Sequence, residues 1–408
     1  MTSAPQNPGD TTSSNEPYYD PYDFAIDDNP YPVWQRLRDE RPLYYNEKHG
    51  FYALSRYDDV AECLRDWEVY SSARGTVLEI IKAELDIQPG TIIFEDPPGH
   101  DLHRSLVATI FSTRAMSALE PKIRDFCAQA LDPLVGTGGF DFIANLGAQM
   151  PMRTIGMLLG IPEEDQESIR DQIDATLKLT EGTPNLAENV GQGYVAAFAD
   201  YIDYRQKNPS DDLMTKLMQA EFEDLNGKTR TLTRDEVLGF VNLIAAAGNE
   251  TTARLIGWTG KVLAEHPDQR KDLVENPKLI PRAIEELLRF EPPSPVQARY
   301  VTKDVEHHGQ VVKKGSALLL LNASANRDDR RFEDPNSFNI HRKAVQHVTF
   351  GYGLHTCLGS ALARLEGRIA LEEVLKRFPE WEVDWDNAVR AHTSTVRGWE
   401  RLPVKTPS

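Results

Sequence analysis

The ten-residue stretch FGYGLHTCLG, Phe350 to Gly359, sets one cysteine among three glycines, with a histidine two positions before it. Glycines at 351 and 353 permit backbone conformations and close approaches that a side chain would block, so a flat or bulky group can lie against such a loop. Cys357 directly precedes a helical pattern, LGSALARLEGRIALEEVLKRF, and a helix N-terminus favours thiolate over thiol. A thiolate placed there is a candidate metal ligand. Cys63 and Cys127 lack such surroundings and read as small buried hydrophobes.

A second set of reactive types lies at AGNETT, Ala247 to Thr252. The small residues Ala245 to Gly248 leave room beside a bound group. Glu250 is an acid in an apolar helix, costly unless partnered, and so a candidate for moving protons. The Thr251 hydroxyl either bonds back to the carbonyl one turn earlier or serves the open space beside it. Glu286 and Arg289 form an ExxR pair at helical spacing before FEPP. On its own an i, i+3 ion pair is usually a solvated surface pair.

These residues need long helices to hold them. Thr233 with Glu236 reads as a capping box, and no proline interrupts the chain from there to Pro267, which predicts a helix of about 30 residues. It is apolar around most of its circumference at Val241 to Ala247 and should cross the interior. A second helix starts with Pro281 in its first turn and stops at Pro292 and Pro293. Between this helix and the cysteine loop, VTKDVEHHGQVVKKGSALLLL reads as two or more strands joined at Lys314 and Gly315. FYALSRY and STVRGWERLPV add short strands, and residues 100 to 225 are helical in pattern. The fold class is mainly α with a smaller β region.

At 408 residues, without internal repeats, the chain reads as a polar tail, 1–18, followed by a single domain, 19–408. The tail has neither a basic start nor an apolar run and is not a secretory signal. Sixty-three acidic against 45 basic residues give a net charge of −18, which repels nucleic acid and anionic membrane surfaces. No apolar stretch approaches membrane-spanning length. Three cysteines with no CxxC pair argue against a disulfide or zinc scaffold and fit a reducing, cytoplasmic setting.

The pattern FGxGxHxCxG resembles, at every fixed position, the cysteine-ligand loop of the cytochrome P450 family, and the resemblance extends over nearly the whole chain after the tail. It implies a helix-rich triangular prism with haem b, iron protoporphyrin IX, between the long central helix and the helix after the cysteine loop. Cys357 is then the axial ligand of the iron, and thiolate donation favours O–O cleavage. In DPPGHDLHRSL, His100 and Arg104 match propionate contacts, as do Arg299 and His355, while His103 does not and reads as a surface residue. Phe350, Gly351, Gly359, Ala247 and Gly248 fall at further haem-facing positions. Glu250 and Thr251 match the acid and threonine that deliver protons, and Glu286 with Arg289 matches a buried structural network.

The resemblance further implies a monooxygenase acting on a hydrophobic molecule such as a terpenoid, steroid or lipid. Matched positions place Leu78, Ile81, Ile93, Phe94, Leu243, Ala247, Pro295, Val296 and Val396 around the substrate, with Gln297 and Thr395 able to add hydrogen bonds. Dioxygen is the co-substrate. With no flavin or iron–sulfur region in the chain, electrons are expected from a separate ferredoxin and its reductase, docking near Arg104, Arg114, Lys343, Arg364 and Arg368. Alternatives on the same fold are a peroxygenase, isomerase or dehydratase needing no redox partner, or a non-catalytic haem-binding protein; the Glu250 and Thr251 pair favours the monooxygenase.

Overall fold

Thr233 and Glu236 close a reciprocal cap: the threonine hydroxyl accepts the Glu236 N–H at 3.2 Å, and the glutamate carboxylate accepts the Thr233 N–H at 2.7 Å. The helix they start, Arg234–Glu265, is 32 residues long and buried over most of its surface, as its apolar circumference requires. In chain order, the helices that build the site are α1 (Leu78–Ala83), α2 (Gly99–Ala108), α3 (Glu120–Leu131), α4 (Met150–Leu159), α5 (Glu163–Leu177), the long helix as α6, α7 (Ile280–Phe290) and α8 (Ser360–Arg377). The structure, a computed structural model, describes residues 16–343 and 345–407 apart from 86, 88, 89 and 186–194. Residues 1–15 of the expected tail lie outside the described residues. From Glu16 onward the chain is engaged: Glu16 pairs with Arg41 at 2.8 Å, and the Tyr18 hydroxyl donates to Asp20 at 3.0 Å.

The helix α6 is enclosed by α4, α8, the turn Phe142–Gly147 and the helix Val195–Lys207. Buried side chains from all of these join one large core. The proline signals hold for α7, which has Pro281 in its first turn and ends at Phe290. The helix α8 follows the cysteine loop and packs along α3 and α7.

A five-stranded sheet forms the other side, with strands β1 (Leu43–Asn46), β2 (Phe51–Leu54), β3 (Tyr70–Ser71), β4 (Gln297–Val301) and β5 (Ala317–Leu320) in the order β1-β2-β5-β4-β3. Strand β5 runs parallel to β2 and antiparallel to β4, with Leu318 opposite Tyr52 and Arg299. All four residues of β5 are buried, as expected of a strand covered on both faces. The region 301–321 contains one more hairpin than its minimum reading, Val305–His307 with Gln310–Val312, and the turn before β5 falls at Gly315 with φ +90°. No helix among the described residues is long and apolar enough to cross a membrane.

Candidate active site

The cysteine loop is held by its own backbone. The Cys357 N–H donates to the Phe350 carbonyl at 2.8 Å, and the Gly351 N–H to Val348 at 2.9 Å. Gly351 and Gly353 both sit at positive φ, +71° and +74°. A Cβ on Gly353 would stand 3.1 Å from the Leu64 carbonyl, so this glycine admits a neighbouring helix end and not a ligand. From outside the loop, Arg104 on α2 donates to the Thr356 carbonyl at 2.6 Å. Arg364 stacks on the Phe350 ring and pairs with Glu285 at 2.6 Å.

Cys357 opens onto a cavity of about 270 Å³. The surface it exposes belongs to that cavity, and protein encloses it on its other sides, so burial pushes the free thiol up. The Gly359 N–H, Arg104 and Arg364 act in the opposite direction without prevailing. Helix-end stabilisation alone therefore leaves a thiol; a bound metal cation would make it a thiolate.

One corner of the cavity collects positive groups and free nitrogens. The His100 and His355 rings lie 4.4 Å apart, and the Nε2 atom of each is buried without a hydrogen-bond partner among the described residues. Burial, then Arg299, His100 and Arg104, push His355 down to about 3. Arg299 on β4 is itself buried, which lowers it to about 10 against the field of Asp96. Such a corner is built to receive an anion. A flat group offering a metal ion to Cys357 and carboxylates to these donors fits the residues present, and haem is such a group.

On α6, Phe240, Leu243, Ile244, Ala247, Gly248, Thr251 and Leu255 form one stripe along the cavity. The Thr251 hydroxyl donates to the Ala247 carbonyl at 2.7 Å, so the back-bonded alternative is realised on the cavity wall itself. A Cβ on Gly248 would fall 2.6 Å from Ile155 Cδ1, so this wall glycine also lets α4 approach α6 beside the cavity. Glu250, about 100° round the helix from Thr251, is not part of the wall. It pairs with Arg254 at 2.8 Å, and Arg254 also donates to the Trp399 carbonyl. Burial and the nearby Asp174 on α5 raise Glu250 to about 7 despite Arg254.

A second acid was not foreseen. Glu366 on α8 lines the cavity, and both of its carboxylate oxygens are buried without a partner among the described residues. Burial raises it to about 8; the Thr154 and Thr252 hydroxyls oppose this weakly, and that of Thr154 already donates to Met150 at 2.9 Å. Its sequence signal was available: Glu366 lies in the buried heart of the helix that starts from the cysteine loop.

Glu286 and Arg289 form a buried bidentate pair at 2.7 and 2.8 Å. Arg289 also donates to the carbonyls of Asn326, Pro335 and Ser337, while Glu286 accepts from the Asn339 N–H and Arg342. The pair thereby ties α7 to the connection leading into the cysteine loop.

The expected substrate contacts are partly corrected. Ile93, Leu243 and Ala247 line the cavity, as does Gln297. Leu78, Ile81 and Val296 instead pack into the core beside the sheet with Ala317 and Leu319, because α1 lies against β4 and β5. Phe94, Pro295 and Val396 also stand off the wall, which is completed by Ile92, Pro293 and Ser294. Thr395 contributes only its carbonyl, which accepts from Ser294 at 3.2 Å. Among the expected haem contacts, Arg299 and Gly351 sit behind the wall, and the others lie on it. His103, expected at the surface, is buried.

A sequence profile for the family described as cytochrome P450 matches residues 174–396. The chain is 37% identical over 392 residues to the putative cytochrome P450 123 of Mycobacterium tuberculosis, covering 94% of this chain and 96% of that one. It is 34% identical over 402 residues to the vitamin D(3) 25-hydroxylase of Pseudonocardia autotrophica, covering 97% and 98%. Among solved structures, a mutant of P450 EryK in complex with erythromycin B superposes with a TM-score of 0.86 at 32% identity, over 94% of this chain and 97% of that one.

Proposed function

Because the chain belongs to the cytochrome P450 family and is a haem-dependent monooxygenase, we propose a fuller reading: it holds haem b through Cys357 and oxygenates a hydrophobic small molecule with electrons from a separate ferredoxin. The observation that carries it is the Cys357 thiol opening onto the same cavity as the Nε2 atoms of His100 and His355, which have no hydrogen-bond partner among the described residues. Cys357 would ligate the iron, and His100, Arg104, Arg299 and His355 would bind the propionates. The haem, when bound, supplies two-electron activation of dioxygen, with one atom going to the substrate and the other leaving as water.

The chain's own part is to bind, orient and protonate. Thr251 offers a hydroxyl at the cavity wall, and Glu250, poised near neutrality one position earlier, holds the proton that resupplies it. Glu366 holds a second proton at the wall itself at neutral pH. The apolar stripe of α6 with Ile92, Ile93 and Pro293 favours a terpenoid, steroid or lipid-like substrate and excludes water from it. The names of the vitamin D(3) hydroxylase and of the erythromycin B complex are in keeping with large hydrophobic substrates.

For the electron donor, the expected basic patch is narrower than its sequence. Arg364 is matched by Glu285, and Arg368 by Glu120 and Glu372; Arg104 turns inward to Thr356. Arg114 and Lys343 are exposed, with no ion pair among the described residues, and are the residues on which an acidic ferredoxin would act.

The test is the absorption spectrum of the reduced protein with carbon monoxide. A strongly red-shifted Soret band in the native chain, lost in Cys357→His, supports thiolate ligation. An unshifted band in both ends this reading. Turnover that requires ferredoxin and a nicotinamide cofactor separates it from the peroxygenase and isomerase alternatives.

A further inference from the structure

Segment 90–95 contributes Ile92 and Ile93 to the cavity wall, and it is fastened from both sides. Asp96 ties its far end to Ser71 and Ser72 of the sheet region, at 2.5 and 3.0 Å. On the α6 side, the Gly90 N–H donates to Glu95 at 2.8 Å, folding the segment back on itself. Gly90 has φ +91°, and a Cβ there would fall 2.8 Å from the Glu236 Cα; the two backbones touch.

The buried His103 ring stands between these parts. Its Nδ1 lies 2.9 and 2.8 Å from the two oxygens of Glu95. Its Nε2 faces Glu236 at 3.8 Å and has no hydrogen-bond partner among the described residues. Phe222 and Phe240 meet the ring edge-on at 6.2 and 6.0 Å, and Phe240 reaches the cavity. Glu236 cannot drift, because it completes the α6 cap and takes two bonds from Arg230, at 2.7 and 2.8 Å. Arg230 in turn lies 3.5 Å from Asp224.

We propose that His103 is a positioning residue: with Glu95 and Glu236 it clamps segment 90–95 onto the start of α6, and so sets how readily small molecules enter and leave the pocket. The proposal rests on the functional reading only in taking this cavity as the substrate pocket. The charged groups facing the ring are Glu95 and Glu236, with Arg230 and Asp224 behind the latter. The ring thus presents one nitrogen to each carboxylate, Nδ1 to Glu95 and Nε2 to Glu236.

The test uses ferric holoenzyme with 4-phenylimidazole as the probe, followed at the Soret band by stopped flow, and hydrogen exchange of the amides from Gly90 to Phe94. His103→Leu is the strong variant. Glu95→Gln, which keeps size and shape, is the mild one. Both are expected to raise the association and dissociation rates and the exchange of this segment by about tenfold or more, the scale of a lost charge-assisted hydrogen bond. Wild-type rates and exchange in both Glu95→Gln and His103→Leu overturn the clamp. The carbon monoxide spectrum of each sample reads the thiolate assignment separately, and exchange reads the clamp even where that spectrum fails.

Discussion

Replacing Glu366 by glutamine keeps the shape of a buried side chain and deletes its ionisation. In the folded chain this carboxyl titrates near 8 in place of an ordinary 4.5, because burial disfavours its charged form. Between those two values the unfolded chain has released the proton and the folded chain has kept it. Glu366 therefore imposes no penalty below pH 4.5, and its penalty grows as pH rises toward 8, at ~1.4 kcal/mol per unit. At pH 7 the accumulated penalty is ~3 kcal/mol, which the amide does not carry. For a chain of this length that corresponds to a melting temperature about 3 to 4 °C higher for Glu366→Gln relative to its own offset at pH 4.5. Thermal melts followed by circular dichroism at several pH values between 4.5 and 8 measure it. A difference between variant and native chain that stays constant across this range refutes the reasoning, because any packing or hydrogen-bond cost of the amide is independent of pH.

Glu250→Gln should slow turnover by about tenfold to a hundredfold and remove an inflection near pH 7 from the pH–rate profile, with a larger solvent isotope effect as the second readout. Arg299→Ala withdraws a buried cation from the anion-binding corner; haem retention, measured by transfer to apomyoglobin, should weaken by about tenfold. Leu78→Ala should cost ~2 to 4 kcal/mol in chemical denaturation and leave 4-phenylimidazole affinity unchanged, because Leu78 is core and not cavity wall. Reversing charge at Arg114 and Lys343 together should lower the ferredoxin-dependent reduction rate about tenfold at low salt and much less at high salt.

Much of the scaffold is legible in the chain because its signals are local. The capping box at Thr233, Pro281 at the head of α7 and the glycine turn at 315 each act within a few residues, and the structure carries all three. The cysteine loop was equally readable, since Gly351 and Gly353 need their positive φ whatever surrounds them. Direction was harder to read. Matched position alone puts Leu78 and Ile81 at the pocket, yet whether α1 turns them to the cavity or to β4 and β5 is decided by long-range packing. The stripe from Phe240 to Leu255 on α6 was open to a helical-period reading, and following it would have set Glu250 off the wall and Thr251 on it. His103 looks solvated among its polar sequence neighbours until Glu236, 133 positions away, closes on it; Glu366 is enclosed by the packing of α8, with no partner in sequence or in space among the described residues to mark it.

The Glu286–Arg289 pair has a consequence for how the chain is made. Its two charges leave the ribosome well before Asn326, Pro335, Ser337, Asn339 and Arg342, the groups that finally surround them. Without those groups the pair has too few partners to offset the cost of burying it. The connection that satisfies it is the same one that delivers the cysteine loop. Docking of that connection on α7 thereby satisfies the pair and fixes the start of the cysteine loop in one step.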